Sequence, residues 1–187
     1  MIVQVVKLLG KRLLGRTAGK RDFAMLCGEM AHAAQGEPIV LDFAGVEVLT
    51  GSWANSALVP LYKWASSDDN NVFPLIYGIE REWLDDLRLI AEWNHHCYLL
   101  VSQKKESPRS AMLLGTLEPG QRATLEAVQR FGEVTGVQLK QDIHDGVEAT
   151  AWNNRLRDLF DKRLIRREKR GREQVYSSLA KEIVFDG

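Results

Sequence analysis

Short polar and cationic side chains are concentrated between Thr150 and Arg172. From Arg155 to Arg172 there are nine Lys or Arg residues and three Asp or Glu residues, whereas the whole chain has 25 of each. Arginine and lysine bind phosphate oxygens, and short polar side chains can hydrogen-bond base edges in the major groove of duplex DNA. The local charge, more than the neutral total, therefore indicates a surface that binds a polyanion.

An amphipathic helix and a hairpin are predicted to carry these side chains. Trp152, Leu156 and Leu159 fall at i, i+4 and i+7, which places them on one buried stripe and leaves the other helix faces free. Two short strands follow, and the second of them ends at Tyr176. Gly171 lies between these strands and supplies the positive φ that a tight hairpin tip requires.

Two further helices are predicted upstream of this pair. The first has Pro119 in its first turn, where the missing N–H group is not needed, and Gly132 or Gly136 marks its end. Leu139 and Ile143 fit a short second helix, and Gly146 belongs to a turn before the third helix. The segment thus has the helices and the hairpin of one small domain.

This order of helix, short helix, helix and hairpin resembles the winged helix-turn-helix family, which binds duplex DNA, over about residues 115 to 180. The resemblance implies that the third helix enters the major groove and that the hairpin, the wing, places cations on phosphates. The family usually has glycine where Arg163 stands, so the sequence leaves the turn from helix to wing undefined. A winged helix that contacts another protein is the alternative. The residues predicted to contact DNA are Thr150, Ala151, Asn153, Asn154, Arg157, Arg166, Arg167, Lys169, Arg170 and Arg172.

Strand and helix patterns alternate in the first half, which favours an α/β sheet with helices packed on it. The strand-length apolar runs are Ile2 to Leu9, Ile39 to Phe43, Val72 to Tyr77 and Cys97 to Val101. Helical apolar patterns lie between them, around Leu26, Leu58 and Leu87. Because Pro74 cannot donate a ladder hydrogen bond, the third strand is predicted to lie at a sheet edge or to start late.

The polar segment 104–111, KKESPRSA, is predicted to be a linker between two domains. The first domain then covers residues 1–103 and the second covers residues 112–187. The last residues, Lys181 to Gly187, are expected to fray.

The segment from Val40 to Asn55, VLDFAGVEVLTGSWAN, resembles the STAS-like fold of anti-sigma-factor antagonists and of the cytoplasmic tails of sulfate transporters. In that family a serine or threonine in this turn can be phosphorylated by a partner kinase. Gly51 stands at the acceptor position, with Thr50 and Ser52 beside it. Thr50 or Ser52 is therefore either a phospho-acceptor or, as we expect, the cap of a helix that begins near Trp53. The predicted fold is an α/β N-terminal STAS-like domain with a mixed sheet, plus a C-terminal α+β winged helix.

Other chemical signals are weak, and the sequence predicts no enzyme, no cofactor and no metal site. Gly10 to Thr17 has the spacing of a P-loop, but Arg16 stands where that motif needs lysine. His95, His96 and Cys97 are consecutive, so their side chains point in different directions and rarely chelate one ion. A nucleotide-responsive switch in the Gly10 to Lys20 segment is the least favoured function.

Composition is typical of an intracellular, bacterial-style protein. The 187 residues are 45% hydrophobic, and the two cysteines predict buried thiols of a reducing compartment. No apolar run approaches 18 residues, so a cytoplasmic location without membrane contact is expected. The sequence predicts a homodimeric, DNA-binding transcriptional regulator whose STAS-like domain serves partner binding, sensing or dimerisation. The alternative is a protein–protein adaptor or phospho-switch protein, in which a kinase or effector binds the STAS-like domain and the winged helix is a docking surface.

Overall fold

Apolar residues at strand and helix spacing build a mixed α/β fold, which the computed structural model describes over residues 1–185. The strands are β1 (Ile2–Gln4), β2 (Arg12–Leu13), β3 (Pro38–Asp42), β4 (Val48–Leu49), β5 (Phe73–Tyr77), β6 (Tyr98–Val101), β7 (Ser110–Leu114), β8 (Glu133–Val134), β9 (Ile165–Arg170), β10 (Glu173–Ser178) and β11 (Glu182–Phe185). The α-helices are α1 (Val5–Leu9), α2 (Gly15–Met30), α3 (Gly51–Ala65), α4 (Leu84–Trp93), α5 (Pro119–Phe131), α6 (Gly136–Asp142) and α7 (Ala149–Asp161). A single 3-10 turn over Arg81–Trp83 leads into α4.

The main sheet has six strands in the order β1-β3-β5-β6-β7-β11. Its strands pair in parallel, except that β6 and β7 are antiparallel. A second sheet has the order β8-β10-β9, and β2 pairs with β4. The mostly parallel main sheet confirms the α/β character that the sequence predicted for the first half.

Alternation along the strands of the main sheet divides the apolar side chains between two cores. Ile39, Leu41 and Ile76 point to a core that contains the buried sides of α2, α3 and α4. Val40 and Leu75 point to the opposite face and join a core formed with α5, α7 and the β9–β10 hairpin. The sheet is therefore covered on both faces, and the helix–hairpin segment packs directly on one of them.

Two expectations about the first half are wrong in detail. The apolar run from Ile2 to Leu9 is a strand only as far as Gln4, and α1 follows, because apolarity alone does not separate a short strand from a buried helical turn. Strand β5, which carries Pro74, lies inside the sheet between β3 and β6. Pro74 is the second residue of β5 and is paired with Ile39 of β3, so the strand neither lies at an edge nor starts late. The proline is tolerated because pairing with β6 begins only at Ile76.

The segment around the predicted domain boundary contributes to the main sheet. Ser110 and Ala111, at the end of the predicted linker, belong to β7. Strand β11 returns from the helix–hairpin segment to pair in parallel with β7, so residues 182–185 do not fray, and residues 186–187 lie outside the described residues. Lys104 forms an ion pair with the buried carboxylate of Asp42 at 2.8 Å. The division into two domains stays a prediction.

Within residues 1–185, no helix is both long enough and apolar enough to cross a lipid bilayer.

Candidate nucleic-acid interface

Helix α7 is positioned by its apolar stripe. Trp152, Leu156 and Leu159 are buried, as the spacing predicted, so the side chains on the opposite side face solvent. Helix α6 lies very close to it: a Cβ atom at Gly136 would clash with Asn153 Oδ1. The absence of a side chain at Gly136 therefore allows Asn153 to lie over the start of α6.

The turn from α7 to the hairpin depends on Arg163. This residue has a φ of 61°, the left-handed conformation in which helices commonly end and which usually requires glycine. Its N–H donates to the carbonyl of Phe160 at 2.9 Å, and the N–H of Leu164 donates to Leu159 at 3.0 Å. An arginine thus forms the turn that the sequence left undefined.

The Arg163 side chain is itself buried against the main sheet. Its Nη1 donates to Asn71 Oδ1 at 2.8 Å, and its guanidinium carbon lies 5.0 Å and 4.5 Å from the ring centres of Phe73 and Phe160. Burial lowers the pKa of Arg163 to about 10. Sequence reasoning found the unusual residue at this turn but not its contact with the sheet.

Strand alternation divides the basic residues of β9 between the two faces of the hairpin. Arg167 faces α7, and its guanidinium carbon lies 4.0 Å from the ring centre of Phe160. Lys169 is exposed and lies two residues after Arg167 on the strand, so it belongs to the same face. Arg166 and Arg170 belong to the opposite face. Only one half of this basic strand can therefore act together with α7.

A surface cleft of about 420 Å³ lies between the exposed side of α7, the start of α6 and the hairpin. We call this the helix–hairpin cleft. Its walls are formed by Thr135, Gly136, Val137, Asn153, Asn154, Arg157, Arg167, Arg172, Glu173, Gln174 and Tyr176. Three arginines against one glutamate give the helix–hairpin cleft a positive charge. Five of the ten residues predicted to contact DNA are brought together there.

The polar groups of the helix–hairpin cleft leave donors available. Arg157 Nη2 donates to Asn154 Oδ1 at 3.2 Å, which orients both side chains on the exposed side of α7. Arg172 is exposed and makes no ion pair with any residue from 1 to 185. Thr150 is exposed one turn before Asn154 on the same helix. The arrangement can present amide and guanidinium donors side by side to a polyanionic groove.

Three residues of the predicted set lie elsewhere. Arg170 binds Glu133 through two hydrogen bonds of 2.6 and 2.7 Å and Glu168 at 2.7 Å, and these carboxylates raise its pKa. Arg166 is half-buried beside Pro108 and its pKa is lowered by burial. Ala151 is half-buried on the side of α7 away from the helix–hairpin cleft. The sequence showed which residues were basic but not which of them were already paired.

In the first half, Thr50 is the N-cap residue of α3. Its Oγ1 accepts from the N–H of Trp53 at 3.3 Å and from the N–H of Gly15 at 3.1 Å, so it joins the starts of two helices. Ser52 is exposed inside the first turn and lies 3.2 Å from the same hydroxyl. A Cβ at Gly51 would lie 3.2 Å from Asp86 Oδ2, so a carboxylate lies next to this turn. Phosphorylation at Thr50 or Ser52 stays a prediction.

The remaining sequence signals are the P-loop-like segment and the consecutive histidines. The segment between Gly10 and Gly15 contains strand β2, so it does not form the glycine-rich loop that cradles phosphates in a P-loop. No group of three or more His, Cys, Asp or Glu side chains within residues 1–185 is arranged to hold a metal ion. His96 packs edge-on against Tyr62 and Tyr98, and burial lowers its pKa to about 4.

No protein family, no curated protein and no solved structure matches this chain in the comparisons with known proteins. Its function is therefore inferred from the geometry of its own residues.

Proposed function

We propose that this chain is a DNA-binding transcriptional regulator whose helix–hairpin segment acts as a winged helix on duplex DNA. Helix α7 would lie in the major groove, with Asn153 and Asn154 near the base edges, and Arg167, Lys169 and Arg172 beside the phosphates. The first half, with its STAS-like pattern, would serve partner binding, sensing or dimerisation.

The observation that carries this proposal is the separation of free from paired cations on the two faces of one hairpin. Arg157, Arg167 and Arg172 line the helix–hairpin cleft, whereas Arg170 on the other face is neutralised by Glu133 and Glu168. A surface that binds phosphates needs cations that are not already paired, because each bound phosphate must release a counterion rather than break an ion pair.

Replacing Arg172 with alanine should weaken binding to every duplex sequence. If its guanidinium contacts a phosphate, the slope of log affinity against log salt should become shallower by about 0.9 unit, as expected for one lost contact on B-DNA. The measurement is fluorescence anisotropy of the full chain on random and genomic duplexes over a series of NaCl concentrations.

Arg170→Ala is the matched control, since it removes the same charge two residues away on the other face of the hairpin. It should leave the salt slope unchanged. Equal effects of Arg170→Ala and Arg172→Ala would mean that only net charge matters and would remove the helix–hairpin cleft from the interface.

Asn153→Ala should act on sequence preference instead. An asparagine that reads a base contributes on the order of 1–3 kcal/mol of discrimination, so the variant should lose affinity for a selected duplex and little for random DNA. Selection of preferred duplexes by the wild-type chain, followed by titration of both, measures this difference. An equal loss on both kinds of duplex would assign Asn153 to a backbone contact.

A protein adaptor is the second candidate, and the exposed side chain of Val137 in the wall of the helix–hairpin cleft favours it. An apolar residue in this position suits a protein partner better than a phosphate backbone. Absence of salt-dependent binding to any duplex, with a folded wild-type chain, would favour this adaptor over the regulator.

A further inference from the structure

Helices α2, α3 and α4 form a layer whose outer surface has no covering element in the described part of the chain. Helix α3 packs between α2 and α4, and the inner sides of all three lie in the core beneath the sheet. The two outer helices, with the segments that lead into them, therefore flank α3 on one continuous face. We call this face the helix-layer surface.

One flank of the helix-layer surface is basic. Residues 7–21 contain six Lys or Arg residues and no Asp or Glu. Lys7, Arg12, Arg16 and Lys20 are exposed and make no ion pair with any residue from 1 to 185, while Lys11 is paired with Glu47. These four cations are therefore not neutralised by the described residues of one copy.

The other flank is acidic. Residues 80–92 contain five Asp or Glu residues and two Arg residues. Glu80, Glu82 and Glu92 are exposed and have no ion-pair partner among residues 1–185, and Asp85 is paired with Arg88. Two unpaired carboxylates therefore lie in the segment that leads into α4, and a third, Glu92, lies near the end of α4, where it also lines a cleft with Thr116 and Leu117.

Large apolar side chains lie on both flanks. Leu14 and Met25 are about two-fifths exposed on the basic flank, and on α4 Leu89 is 46% exposed and Trp93 is 77% exposed. Leu89 and Trp93 are four residues apart and so form one stripe on the outer side of α4. Exposed apolar groups rimmed by charges are typical of a surface that another protein covers.

We propose that the helix-layer surface binds the same surface of a second copy, with α2 of each copy against α4 of the other. The order α2-α3-α4 makes this possible: a two-fold axis through α3 brings each basic flank onto an acidic flank. Every contact is then made twice, and the unpaired charges of one copy meet those of its partner. The role of this two-fold dimer rests on the proposed function: it would join two DNA-binding segments.

A second copy fits this surface better than a nucleic acid does. A duplex would neutralise only the basic flank, and it would leave Trp93 and the carboxylates of the acidic flank in solvent. The second copy covers both flanks and the apolar stripe together.

The test uses two opposite charge reversals in the full chain, without DNA. One variant carries Arg16→Glu and Lys20→Glu, and the other carries Glu82→Lys and Glu92→Lys. Sedimentation should show a wild-type dimer at tens of micromolar, and each variant alone should dissociate at least tenfold more readily because like charges then face each other. An equimolar mixture should form a heterodimer, since every contact is complementary again, and a chain carrying all four changes should form a homodimer.

A matched control carries Arg109→Glu and Arg130→Glu, which changes the net charge as much as the first variant but lies away from the helix-layer surface. It should remain dimeric, and circular dichroism should show that all variants are folded. A wild-type monomer at 100 micromolar, assemblies larger than a dimer, or a mixture that stays monomeric would each overturn the two-fold arrangement. Because these measurements contain no DNA, their failure is separate from a failure of DNA binding.

Discussion

Replacement of Arg163 by alanine should lower the free energy of unfolding by about 2–4 kcal/mol, as large-to-small substitutions in a packed interior do. The side chain is only 1% exposed and lies between the rings of Phe73 and Phe160. Its loss would leave a cavity between α7 and the sheet and would leave the Asn71 amide oxygen without its 2.8 Å partner. Urea denaturation followed by tryptophan fluorescence measures the change.

The variant Arg163→Gly distinguishes the contribution of the side chain to stability from the contribution of the backbone conformation. Both variants lose the same contacts, but glycine adopts the φ of 61° without the cost of about 1–2 kcal/mol that a Cβ atom adds in the left-handed region. The glycine variant should therefore be more stable than the alanine variant by about that amount. Equal stabilities would contradict the assignment of backbone strain to this turn.

Replacement of Gly19 by alanine should lower the free energy of unfolding by about 1–3 kcal/mol, the usual cost of overpacking. A Cβ at this position would lie 2.8 Å from the backbone oxygen of Trp53 and 2.8 Å from Ser56 Cβ, so α2 would have to move away from α3. That movement would also strain the buried hydrogen bond from the indole N–H of Trp53 to Asp22 Oδ2, which is 2.8 Å long. Thermal and urea unfolding of the two proteins give the difference.

Gly28→Ala is the control on the same helix, because a Cβ there would meet nothing within 4 Å. In a helix an open glycine costs roughly 0.5–1 kcal/mol relative to alanine, so this variant should be more stable than the wild type by that amount. Changes of the same sign at Gly19 and Gly28 would contradict close packing of α2 on α3.

The sequence predicted the elements of the helix–hairpin segment well because each has a local signal. The stripe at Trp152, the proline at the start of α5 and Gly171 at the hairpin tip act over a few residues, and the structure places all three as predicted. The two faces of β9 were not resolved, since alternation separates Arg166 from Arg167 but does not say which face meets α7. That choice is made by the contacts of Arg167 with Phe160 at the end of α7 and of Arg170 with Glu133, which is 37 residues earlier.

Long-range pairings were the other part that the sequence could not show. Strand β11 has only four residues, Glu182–Phe185, and nothing local distinguishes this segment from a frayed tail. Its order comes from pairing with β7, which is about seventy residues earlier. Likewise, the contact of Arg163 with Asn71 joins residues 92 positions apart, so no local pattern predicts it.

Coverage of the main sheet on both faces determines where the two helix–hairpin segments lie in the proposed dimer. The helix–hairpin segment lies on the face opposite to α2, α3 and α4, so a dimer formed through the helix-layer surface would carry its two clefts on its outer sides. With layers about 10 Å apart, the two segments would be about 50 Å from each other. Half-sites one helical turn apart, about 34–36 Å, are too close for that spacing. If the helix–hairpin segments bind DNA as proposed, such a dimer would therefore bridge two separate stretches of duplex rather than adjacent half-sites.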